Sequence, residues 1–171
     1  MTTVFVLVNT AETCTGFIPE LARVGTIPIA LRAVIMAEQA HADRIVVCVD
    51  SSVAPQLETE LYATGRVPDS LEWHESDGQT DVTALIQHLA ANGDRVVFVS
   101  GDRAYHPSLL RKAIEWKGLT GTLALTTRTA LAGILVLSPP AARSFAFHCT
   151  EELQTLEDLN AWMRCNGYLL L

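Results

Sequence analysis

The sequence predicts an α/β protein in three layers, a mostly parallel central sheet with helices on both faces. Three observations carry this expectation. Segments of strand character alternate with segments of helical period along the chain. The strands are short and apolar on both faces, as in "TVFVLV" and "RIVVCVD", which suits a sheet covered on each side. The length of 171 residues is that of one domain, 1–171, with no internal repeat or low-complexity linker to divide it.

The elements follow in order. Thr3 to Val8 is the first strand. A long loop runs from Asn9 to about Thr26, with Gly16, Pro19 and Gly25 as its breakers. From Pro28 the stretch "PIALRAVIMAEQAHA" has helical period, with proline near its first turn. Arg44 to Asp50 is the second strand, and "APQLETELYATG" is a helix ended by Gly65. "SLEWHE" is a short edge strand. Asp81 is placed to cap "VTALIQHLAANG", where Val82, Leu85, Ile86 and Leu89 recur at helical spacing. "RVVFVS" is the fourth strand and "PSLLRKAIEWKG" a helix, followed by the strands "TLALTT" and "LAGILVLS". Ser138 is placed to cap "PPAARSFAF", and "TLEDLNAWMRC" is the closing helix.

Composition narrows the classes of function. Hydrophobic residues make up 49% and charged residues 18%, a compact globular balance. The net charge of -7 argues against nucleic-acid binding, which calls for clustered Lys and Arg to neutralise phosphates. A single nucleotide stays compatible with it, because one metal ion and a few backbone amides can hold a triphosphate. Cys14, Cys48, Cys149 and Cys165 have no zinc-like spacing, and Cys48 within its apolar strand reads as a buried reduced thiol. The apolar "TVFVLV" lacks a preceding basic region and so reads as a strand, not a signal peptide. No stretch approaches the ~18 apolar residues of a membrane helix. A soluble, cytoplasmic protein that does not itself span a membrane is expected.

In parallel sheets of this kind, ligands lie outside the carboxyl ends of the strands. Two segments fall there, the long loop after the first strand and "RVVFVSGDRAYHP". In the second, an apolar strand halts at Gly101, presents Asp102 and restarts as a helix past Pro107. A carboxylate at that point has two readings, a metal ligand or a turn and helix-cap residue. The histidines at 41, 74, 88, 106 and 148 share no metal-ligand spacing, and His106 reads as a surface-turn residue. Ser100 stands outside any G-x-S-x-G elbow, so no hydrolase triad is supported. Trp73, Trp116 and Trp162 are scattered and read as fillers of the core edge.

Four segments, in order, resemble a known family. "ELARVGTIPIALRAVIMAEQAHADRIVVCVD" is similar to the early region of the MobA-like, GT-A-like nucleotidyltransferases, which make nucleoside-diphosphate sugars or alcohols. Val24, Gly25, Pro28, Ile29 and Arg32 give the cadence of the family's V-x-G-x-P-L stretch and following helix, with Gly25 one place early. Arg95 to Pro107 resembles the strand whose terminal G-D aspartate holds magnesium. "AGILVLSPPAARSF" resembles a later "G-I-Y-x-L-S-P-E" strand and helix, and "LQTLEDLNAW" the closing "D-I-D-T-P-E-D-L" segment. The likeness covers most of the chain.

The resemblance implies a GT-A-like, Rossmann-like fold and transfer of a nucleotidyl group from a nucleoside triphosphate to a small phosphorylated acceptor, a sugar or alcohol phosphate, with release of pyrophosphate. It implies Mg2+ held by Asp102 and Glu152, backbone contacts to nucleotide at Gly16, Gly25 and Gly101, and Arg23 as the catalytic cation near the triphosphate. It also implies a fused or partnering phosphatidyltransferase. Separately, the apolar face of the 107–117 helix suits either the core or a homodimer seam, and the apolar ending "GYLLL" suits either a chain cut short or a tail packed on a partner. The chain departs from the pattern at three points. The family's G-x-G-x-R loop followed by P-K becomes "NTAETCTGFIPELARVG", which keeps Gly16 without a second glycine. Pro19-Glu20 stands at the P-K position, and Gln154 at the second metal-binding aspartate. These departures point to a member with its active-site motifs partly lost. The alternative is a regulatory or protein-interaction module of the same fold without catalysis.

Overall fold

The computed structural model describes residues 1–8, 18–76, 86–88, 92–116, 121–126, 131–149 and 156–165. Its strands are β1 (Thr2–Leu7), β2 (Arg23–Val24), β3 (Ile27–Pro28), β4 (Arg44–Asp50), β5 (Leu71–Ser76), β6 (Arg95–Ser100), β7 (Thr122–Thr126) and β8 (Leu131–Leu137). Its helices are α1 (Ile29–Gln39), α2 (Ala54–Tyr62), the helical residues 86–88 (α3), α4 (Pro107–Glu115), α5 (Pro139–His148) and α6 (Leu156–Cys165). A single 3-10 turn, Pro19–Leu21, precedes β2.

Six strands form one sheet in the order β5-β4-β1-β6-β8-β7. β1 pairs in parallel with both β4 and β6, and β4 with β5. β8 is antiparallel to its two neighbours, β6 and β7, so within this sheet it is the strand that runs against the rest. Strand alternation divides the core into two layers. Val4, Val6 and Val8 of the first strand segment face α1, α2 and α4, together with Ile45, Val47, Val97 and Val99. Phe5 and Leu7 face the other way, with Val46, Cys48, Val96 and Phe98, against Ile86, α5 and α6. Phe5 and Phe98 stack across adjacent strands at 5.5 Å, and Phe145 meets Trp162 edge-on at 5.1 Å. This is the three-layer α/β architecture that the alternation of elements predicts. Among the described residues, no helix is long and apolar enough to cross a membrane.

Three local features differ from the sequence reading. The segment expected as loop up to Thr26 contains the antiparallel hairpin β2–β3, with Arg23 opposite Pro28 and Val24 opposite Ile27. Its two-residue connection is Gly25-Thr26, and Gly25 takes a positive φ of 69°, which only glycine adopts without strain. Two paired residues per strand are too few to show a period, so the hairpin left no pattern to read. The helix past Pro107 is capped by His106, whose Nδ1 accepts from the Ser108 amide at 3.3 Å, so Asp102 is not its cap. Trp116 is half exposed at the end of α4, whereas Trp162 is buried. The helix expected from Val82 is described only over 86–88, and Asp81 lies outside the described residues.

At the amino-terminal edge of the sheet, Arg44 and Glu72 form a two-pronged ion pair that ties β4 to β5. The paired guanidinium holds the Glu72 carboxyl below its ordinary range, and Glu72 raises Arg44 in turn. The opposite edge carries the candidate site.

Candidate functional site

The chain moves outward from β1 through α1 to β4 and through α2 to β5, then crosses to the other side of β1 to form β6. Between β1 and β6 the direction of winding reverses, and at such a switch point the loops leaving the carboxyl ends part to form a crevice. The carboxyl end of β1 at Leu7 and the Gly101-Asp102 turn leaving β6 both lie there.

Gly101 is the hinge of this turn. Its amide donates to the Leu7 carbonyl at 2.8 Å, which extends the β1–β6 ladder by one bond. A Cβ at 101 would lie 3.0 Å from that same carbonyl oxygen, 3.3 Å from Val8 Cγ2 and 3.5 Å from Glu20 Cγ. Glycine is therefore set by the close approach of two strands and an acidic side chain. Glu20, in the 3-10 turn, is 1% exposed. The fold brings it against Gly101, with its Cγ 3.5 Å from where a Cβ there would lie.

Asp102 follows, 37% exposed along its side chain. Its Oδ1 accepts from the Ser100 hydroxyl, and the Arg103 guanidinium Nε lies 3.5 Å from the same oxygen. Gly133 of β8 closes the far side, one step beyond the Val99–Ile134 pair. It has φ 83°, and a Cβ there would lie 2.1 Å from the Tyr105 Oη, 3.1 Å from Ser100 Cβ and 3.2 Å from Arg103 Cδ. Tyr105 and the stem of Arg103 thus lie over a strand position that has no side chain. Arg103, Tyr105 and Gly133 were not singled out from sequence, and Ser100 was weighed only as a hydrolase nucleophile. A glycine inside the apolar strand "LAGILVLS" was the available signal, since such a glycine marks a close approach.

The other predicted site residues are placed as follows. Arg23 lies on β2, half exposed, with its Nη2 2.5 Å from Glu60 Oε2 on α2. Gly25 is the exposed turn of the hairpin. Arg32 of α1 donates to the Val24 carbonyl and so fastens that hairpin to the helix below it. Gly16 and Glu152 lie outside the described residues, as does Gln154. The structure therefore brings Gly101, Asp102 and Glu20 together at the switch point and pairs Arg23 with a helix residue. Among the described residues, no group of three His, Cys, Asp or Glu side chains converges on a metal-sized space.

This architecture matches solved structures over 99% of the chain. It shares its fold with nucleotidyl transferases. One such protein, from Methanothermobacter (Mth528), superposes with a TM-score of 0.68 at 15% identity over 84% of its own chain. Rv0371c from Mycobacterium tuberculosis H37Rv, also crystallised as a manganese complex, gives a TM-score of 0.76 at 13% identity over 84% of its chain. A glucose-1-phosphate thymidylyltransferase from Bacillus anthracis, described as putative in its own report, gives 0.64 at 14% identity over 85% of its chain. No protein-family model and no curated protein matches the sequence. The likeness is one of fold, carried by element order and sheet topology.

Proposed function

We propose that this chain is a nucleotidyltransferase-like domain that takes a nucleoside triphosphate with a divalent cation at the β1–β6 switch point, and that part of its transfer machinery has been lost. In the full reaction, an oxygen of a sugar or alcohol phosphate attacks the α-phosphorus. A phosphorus–oxygen bond forms as the bond to pyrophosphate breaks, and the protein contributes position and charge. The observation that carries the reading is the Gly101-Asp102 turn, a carboxylate just past the carboxyl end of β6 at the switch point, the region where ligands of such sheets bind.

The donors present suit a hard cation. Asp102 and Ser100 offer oxygen atoms, and Mg2+ is held by one or two carboxylates while waters and substrate phosphates complete its shell. Bound there, the cation would offset charge on the phosphates. Asp102 is assigned as its ligand and Glu152 as the second carboxylate. Gly16, Gly25 and Gly101 are assigned to the nucleotide path and Arg23 to the triphosphate, which requires Arg23 to leave Glu60.

A specific observation favours the second reading, a module of the same fold without catalysis. Glu20 places a buried acidic side chain against Gly101, where the transfer reaction calls for a cation. Calorimetric titration of CTP, GTP, ATP and UTP with Mg2+, repeated on Asp102→Asn, separates the outcomes. We expect one nucleotide to bind only when Mg2+ is present, and to lose at least about tenfold in affinity in the variant, as for loss of a charged ligand contact. Absence of heat for all four at millimolar concentration contradicts the nucleotide reading.

A further inference from the structure

Arg103 lies on the carboxylate that the proposed function assigns to the cation. Its Nε is 3.5 Å from Asp102 Oδ1, the oxygen that also accepts from the Ser100 hydroxyl. That oxygen is engaged twice within the protein. The two side chains are 37% and 39% exposed, so an incoming ligand reaches the pair from solvent. Gly133 leaves room for the arginine stem, since a Cβ there would lie 3.2 Å from Arg103 Cδ. The guanidinium reaches the carboxyl end of β6 across a position of the neighbouring strand that has no side chain.

Resting on the nucleotide-site reading above, we propose that Arg103 is the built-in counter-ion of Asp102, which a bare divalent cation must displace. The site then selects a cation already carried on a polyphosphate over the free ion. The reason is charge. A free cation approaching Oδ1 meets a fixed positive group a few ångströms away and competes with it for the same lone pairs. A cation on a polyphosphate arrives with net negative charge, and a guanidinium moved off Oδ1 offers donors that match phosphate oxygens. Arg103 acts through Asp102 and is a positioning and selectivity residue.

The test uses Mn2+ with no nucleotide, followed by electron paramagnetic resonance of the free ion. It compares the unaltered protein with Arg103→Gln, Arg103→Lys and Asp102→Asn. Removing the charge in Arg103→Gln should tighten Mn2+ binding by about two- to fivefold, the scale of one exposed ion pair. Arg103→Lys keeps the charge and should stay close to the unaltered protein, and Asp102→Asn should abolish binding. Binding seen only in Arg103→Gln is the strong form of the same result. If Arg103→Gln binds Mn2+ no more tightly than the unaltered protein, while Asp102→Asn loses it, the counter-ion role is overturned and the metal site stands. If neither the unaltered protein nor Arg103→Gln binds Mn2+, both the counter-ion role and the metal site fall.

Discussion

Gly101 joins sequence, packing and site in one residue. Its amide extends the ladder to Leu7, and the carbonyl it bonds lies 3.0 Å from where an alanine methyl would go. That carbonyl belongs to the backbone of a central strand and cannot yield without breaking the bond it accepts. Gly101→Ala should therefore destabilise the fold by about 1–3 kcal/mol, as over-packing does, measured by urea unfolding. A loss under about 0.5 kcal/mol, the range of an ordinary surface change, would refute the close approach. Cys48, on the same sheet, gives a pH signature. Burial pushes its thiol up to about 12 from an ordinary 9.0. Below 9.0 both states keep the proton and Cys48 contributes nothing to pH dependence. Between those values the unfolded thiol ionises while the folded one does not. Stability then falls as pH rises, by on the order of 1.4 kcal/mol per pH unit from this group. Unfolding of Cys48→Ala between pH 8 and 10 should show a shallower alkaline loss than the unaltered protein, and equal slopes would contradict it. The Cys48 reading and the halt at Gly101-Asp102 were legible because each is a break or a continuation within one strand. The seating of Glu20 on Gly101 joins residues 20 and 101, and no local pattern announces such a contact.

At the scale of elements, most of the strands and helices could be read from period and punctuation. Pro28 before α1, Pro107 at the start of α4 and Pro139 after Ser138 mark three helix starts. The Ser138 cap is realised, with Oγ accepting from the Ala141 amide at 3.3 Å in a fully buried position. Ser138→Ala leaves that amide without its partner and should cost about 1 kcal/mol, read as a lowered denaturation midpoint. Ser138→Thr keeps the acceptor and should restore most of it, whereas an Ala variant as stable as the unaltered protein would show that the cap is not used. The hairpin β2–β3 escaped the reading because its strands are two residues each, and its conformation rests on Gly25 and on Arg32 reaching the Val24 carbonyl. The cap of α4 escaped it because His106 acts through Nδ1, outside the usual Ser, Thr, Asp and Asn.

At the scale of the whole molecule, apolar faces on every central strand required two covering layers, and two core layers are what the sheet has. Strand order was not readable from period, because pairing of β1 with β4 and β6 is decided by crossovers of many residues. The winding reverses between β1 and β6, and Asp102 stands just past the carboxyl end of β6 at that switch point. The central claim is that this carboxylate holds a nucleotide-borne divalent cation. Anomalous diffraction from crystals soaked with Mn2+ and the nucleotide favoured by calorimetry tests it most directly. A manganese peak within direct ligand distance of the Asp102 carboxylate, bridging to phosphate, is the predicted result. Nucleotide bound with manganese elsewhere, or with none at Asp102, would contradict it.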